Sequence, residues 1–119
     1  VRLGHIDDHK RLALLRGATV VAYPSRYEGF GLVPLEAMAV GTPVVTTAAG
    51  AVPEIVGDAA LVVPVGDRAA LAEGLRQVLG DEALAQDLAD AGEARVLQFP
   101  WSATVDGIID RYHRAAGQR

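Results

Sequence analysis

At 119 residues, half of them hydrophobic and only 5% aromatic, the chain can form one small domain with a core and has the profile of a globular α/β protein. Its net charge of −4 and scattered Lys and Arg leave no polybasic surface, so neither nucleic acid nor an acidic membrane is expected as a partner. There is no cysteine, which removes disulfides and thiolate metal sites, and no apolar run approaches the roughly 18 residues needed to span a bilayer.

The opening VRLGHI, residues 1–6, is a short apolar run ending at a turn and predicts a buried strand. The chain opens on Val1 within this run, with no signal peptide in view, so it is expected to start in the middle of a domain. Asp7 can cap a helix over residues 8–17 whose Leu12 and Leu15 face inward. ATVVAYPS, 18–25, is β-branched and unalternating, which predicts a strand buried on both faces of a parallel sheet. Residues 25–31 form a loop. LVPLEAMAV, 32–40, is a helix with Pro34 in its first turn and Gly41 just past its end, the usual asymmetry of helix ends. TPVVTT is a third strand, AAGAVPEIVGD a loop with one helical turn, and AALVVPV a fourth strand. Three helices close the chain. The first starts at Asp67 and aligns Leu71, Leu75, Val78 and Leu79; the second starts near Asp81 and aligns Leu84, Leu88 and Ala91. The third follows FPW and aligns Val105, Ile108, Ile109, Tyr112 and Ala116, with Trp101 as an aromatic anchor. Strands alternating with helices mean βαβ units and a parallel sheet.

In open parallel sheets, ligands bind beyond the carboxyl ends of the strands, and PSRYEGFG lies at such an end, directly before a helix. Gly29 and Gly31 let the backbone approach a ligand, or simply shape the turn. The helix starting near Leu32 aims unpaired N–H groups and the positive end of its dipole at that space, a geometry suited to phosphate. Glu36 falls in the second turn of this helix among Leu35, Ala37, Met38, Ala39 and Val40. A carboxylate there needs donors, which either a ribose diol or an Arg from a neighbouring helix supplies. Glu28, just before the helix, is either an exposed loop carboxylate or a partner for hydroxyls attached to the phosphate. Sugar, phosphate and ribose in sequence are the outline of a nucleotide-sugar. Glu54 stands at another strand-to-helix loop, where the helix dipole alone also favours a carboxylate. Ser25 and Tyr27 flank Glu28, with loop stabilisation an equal reading for the serine. His5, His9 and His113 lack metal-ligand spacing.

The stretches PSRYEGFGLVPLEAMAVGTPVV, GAVPEIVGDAALVVPVGDRAALAEGL and FPWSATV together resemble the retaining glycosyltransferases of family 4, which have the GT-B fold. The resemblance spans essentially the whole chain, and two glutamates separated by seven residues inside EGFG…LEAMA are its most specific element. It implies that Glu28 acts on the donor sugar as the catalytic-site carboxylate, beside the backbone amides of Gly29, Phe30 and Gly31. It further implies that Leu32 and Val33 present amides to the diphosphate, that Glu36 accepts from both ribose hydroxyls, and that backbone around His5 and Ile6 holds the base. A nucleoside diphosphate sugar is then the substrate, transferred with retention, and no cofactor or metal is expected; no Asp-x-Asp occurs in the sequence.

On the same resemblance, residues 1–119 are one partial domain, about the last two thirds of a C-terminal donor domain. An N-terminal acceptor domain and basic loops of the donor domain lie outside these residues. In the family's strand order 3-2-1-4-5-6 the chain supplies strands 3 to 6, which leaves residues 1–6 without neighbours and the second strand with an open edge. The fragment alone is expected to be marginal and inactive. The acceptor, whether glycan, lipid or small polyol, belongs to the other domain, as does any membrane association; nucleotide-sugar supply implies a cytoplasmic location. A nucleotide-sugar epimerase lacks recognisable acid and base residues here. A phosphorylase needs a lysine for its cofactor, and the single lysine, Lys10, sits on the first helix. A non-catalytic receiver-like or binding module lacks its acidic cluster, and a dinucleotide-binding domain its G-x-G-x-x-G.

Overall fold

In the computed structural model, residues 1–100 and the isolated positions Ser102, Ala103, Ile109 and Arg114 are described. Trp101 and the alignment of Val105, Ile108, Tyr112 and Ala116 expected for a last helix lie outside the described residues. Within residues 1–100 the helices and strands are α1 (Asp8–Gly17), β1 (Val21–Tyr23), α2 (Leu32–Ala39), β2 (Val44–Thr47), α3 (Val52–Val56), β3 (Leu61–Val63), α4 (Arg68–Gly80) and α5 (Glu82–Val96), with a short 3-10 turn at Gly57–Ala59. The strands form one parallel sheet in the order β1-β2-β3, with Val21 opposite Val44 and Val45 opposite Leu61. The α/β class and the parallel sheet expected from the sequence are therefore present.

The helices begin where short acids can cap them. Asp7, Asp67 and Asp81 each accept a hydrogen bond from the backbone N–H three residues on, at Lys10, Ala70 and Leu84. The Lys10 amide, and next its ammonium group, hold the Asp7 carboxyl below its ordinary range. α2 has no such side chain; Gly31 precedes it, and Gly41, with φ +73°, follows the Val40 C-cap.

β2 is the spine. All four of its residues are buried. Because side chains alternate along a strand, Val44 and Val45 enter different cores. Val44 joins Leu35, Met38, Val52, Ile55 and Val56 from α2 and α3. Val45 joins Val78 of α4 and Leu88 of α5. Fully burying such a side chain contributes about 1.5–3 kcal/mol, so the sheet's central strand is held from both sides. α5 also packs along α2, with buried Gly92 against Met38.

Several expectations are corrected. Residues 1–6 form no strand and are largely exposed, because a strand exists only as a ladder and β1 is paired on one side alone, with β2. Nor is β1 buried on both faces, since Ala22 is exposed, although the strand is the open edge expected from the resemblance. On α1, Leu15 packs against the core but Leu12 is exposed. On α4 and α5, Leu79 and Ala91 face solvent, whereas Leu71, Leu75, Val78, Leu84 and Leu88 pack inward as expected, joined by buried Gly74, Ala89 and Gly92. Among the described residues no helix is long and apolar enough to cross a membrane.

Candidate functional site

The loop 24–31 leaves the carboxyl end of β1, and the loop 48–51 leaves that of β2; the parallel register brings both to one end of the sheet. Two threonines of β2 tie the first loop down. The Thr46 hydroxyl donates to the Tyr23 carbonyl at 3.0 Å, and the Thr47 hydroxyl donates to the Ser25 carbonyl. Ser25 in turn donates to the Tyr27 carbonyl at 2.8 Å, so its role in the structure is to shape the loop.

The second loop meets the first backbone to backbone. At Gly50, φ is +53°, and a Cβ added there would stand 2.0 Å from the carbonyl oxygen of Glu28. No side chain fits that approach, so Gly50 fixes where Glu28 sits. Gly31 has φ +97° and turns the chain from loop into α2, with Val52 and the Glu28 side chain packed around it. The N–H groups of Leu32 and Val33 fall in the first turn, where a helix offers no internal acceptor.

Glu28 is half-buried and accepts a hydrogen bond from the Tyr23 hydroxyl. That bond, then burial, then the carboxylate's charge push the Tyr23 phenol up to about 12. Phe30 meets Phe99 edge to face at 6.4 Å between centroids, and the Arg95 guanidinium lies 5.2 Å from the centre of the Phe99 ring. Arg95 also donates to the backbone carbonyls of Ile55 at 2.9 Å and Glu54 at 2.6 Å. The loop carrying Glu28 thus meets Phe99 just past α5, and Arg95 at the end of α5 covers that ring and also holds α3.

Glu36 projects from the second turn of α2, where its carboxylate accepts from Arg11 of α1. The neighbouring Arg anticipated as one source of donors is therefore present, and the bonded, oppositely charged Glu36 raises the pKa of that guanidinium. Gly29, Phe30, Leu32 and Val33 follow Glu28 around the start of the helix. His5 and Ile6 are elsewhere in character: the segment that carries them is mostly exposed, and Ile6 lines a shallow groove with Leu3, Lys10, Ala13 and Leu14. No hydrogen bond among the described residues joins either to residues 28–36. The Glu54 side chain is exposed at the first turn of α3. Tyr23, Thr47 and Gly50 went unread in the sequence. A polar or glycine residue at the carboxyl end of a buried strand was the available signal.

Residues 2–95 match the family model of the glycosyl transferases group 1. The chain is similar to O-antigen chain mannosyltransferase B of Escherichia coli, with 38% identity over 110 residues, 92% of this chain and 29% of that protein. Among solved structures, sucrose-phosphate synthase of Thermosynechococcus elongatus is 37% identical, with a TM-score of 0.84 over 98% of this chain and 30% of that one. The C-terminal domain of a group 1 family glycosyl transferase from Francisella tularensis is 33% identical, with a TM-score of 0.73 over 82% of this chain and 51% of that one. The chain spans less than a third of the length of the first curated relatives it matches.

Proposed function

The chain belongs to the group 1 glycosyl transferases and has the α/β fold of part of a GT-B enzyme, and from that premise we propose that residues 28–36 hold a nucleoside diphosphate sugar. The observation that carries this reading is the course of the backbone. A loop pinned by Thr47 and Gly50 presents Glu28, turns at Gly31, and delivers two unpaired amides and Glu36 on one helix.

In this reading Glu28 contacts hydroxyls of the donor sugar, beside the amides of Gly29, Phe30 and Gly31. Leu32 and Val33 direct their amides and the dipole of α2 at the diphosphate, which favours charge developing on the departing phosphate. Glu36 accepts from the ribose, and backbone near His5 and Ile6 adjoins the base. Transfer retains the anomeric configuration, as in family 4, and uses no metal. The residues form part of a C-terminal donor domain; the acceptor, a glycan, a lipid or a small polyol, is bound by another part of the enzyme, in the cytoplasm.

The test is an amide NMR titration of the chain, and then of the full-length enzyme, with UDP, GDP and ADP as free nucleotides and as sugar donors. Shifts clustered at residues 28–36, with one base preferred, are expected. Binding by the full-length enzyme that leaves those amides unmoved rejects the site.

A further inference from the structure

Arg11 lies 25 positions before Glu36 and comes from a different helix, yet among the described residues it is the donor that Glu36 receives. Its guanidinium is forked. Nη1 donates to Oε2 of Glu36, while Nη2 reaches Oδ1 of Asp8 at 3.2 Å, one turn earlier on α1. Asp8 therefore turns the planar group so that its other nitrogen points at α2. Oε2 alone is engaged; no hydrogen bond to Oε1 occurs among the described residues.

The pair is open to water, with side-chain exposures of 38% for Arg11 and 25% for Glu36. Ion pairs so exposed add little to folding stability. What this one does is immobilise a flexible carboxylate in one orientation, which lowers the ordering cost of a ligand that needs it. We infer that Arg11, steered by Asp8, is a positioning residue that fixes the Glu36 carboxylate for the vicinal hydroxyls of the donor's ribose. The inference rests on the donor-site reading above, and adds to it a residue on another element and a fixed role for each carboxylate oxygen.

The experiment compares dissociation constants of the full-length enzyme for UDP, GDP and ADP with those for their 2′,3′-dideoxy counterparts. The dideoxy Kd divided by the parent Kd, within the tightest-binding pair, reports how well the ribose hydroxyls are read. Glu36→Gln is expected to lower it, and Arg11→Gln to lower it by about three- to tenfold, the scale of a charge-assisted hydrogen bond misaligned. Arg11→Lys, which keeps charge without the fork, recovers part of the loss. In a Glu36→Gln background, Arg11→Gln has no further effect on the ratio. A merely structural role for Arg11 weakens both nucleotides equally and leaves the ratio unchanged, which overturns the inference while the site stands. Glu36→Gln with an unchanged ratio overturns the ribose reading and the inference together. If Arg11→Gln does not fold, Asp8→Ala decides, because that side chain is 87% exposed; a ratio unchanged there overturns the steering.

Discussion

Glu36→Ala in the full-length enzyme is expected to weaken nucleoside diphosphate binding by about 1–3 kcal/mol, the worth of lost charge-assisted bonds. Calorimetry with free UDP, GDP and ADP reads this directly, and unchanged affinity rejects the role. Glu28→Ala is expected to depress turnover more than nucleotide affinity, because its proposed partners are on the sugar; equal losses for free diphosphate and sugar donor would undo that assignment. Tyr23 holds Glu28 through its hydroxyl, and its phenol is pushed up to about 12 from an ordinary value near 10. Because the folded value is the higher one, the bond's contribution is complete below about pH 10 and disappears as pH rises through about 12. The difference between ultraviolet titrations of the wild type and Tyr23→Phe should show a phenol with its midpoint near 12. A midpoint near 10 removes the Tyr23–Glu28 bond from the account. The two glutamates were legible from sequence because a charge inside an apolar helix or a glycine-rich turn demands a reason. Tyr23 and Thr47 were not legible, since either reads equally as ordinary strand residues until the fold shows what they face.

Between elements, the site depends on two loops meeting at Gly50. Gly50→Ala places a methyl group where the Glu28 carbonyl stands and requires a left-handed backbone. The backbone conformation alone costs about 1–2 kcal/mol, and the overlap must displace loop 24–31 as well. The expected result is a lowered denaturation midpoint together with weakened donor binding. An alanine variant that keeps both would mean that the loops do not touch as described. Helix starts at Asp7, Asp67 and Asp81 were readable because capping is local chemistry. The facing of Leu12, Leu79 and Ala91 was not: helical spacing gives a stripe, but its width and the element it meets are set by packing.

Across the whole molecule, stability is graded from β2 outward. β2 is buried and paired on both sides, whereas β1 pairs on one side and residues 1–6 join no ladder. In hydrogen exchange on this chain, amides of 1–6 should exchange near unstructured rates and those of Val44–Thr47 last, by global unfolding. Strong protection at 1–6 would contradict the structure's account of that segment. Local chemistry in the sequence sufficed for the α/β class, the parallel sheet, the capped helices and the glycine-bounded loop that enters α2, because periodicity, caps and turns act over a few residues. Long-range packing was needed to establish that residues 1–6 form no strand and that Arg11 and Gly50 meet Glu36 and Glu28. Those outcomes depend on which distant segments come together, and local preference carries no information about a partner 25 positions away.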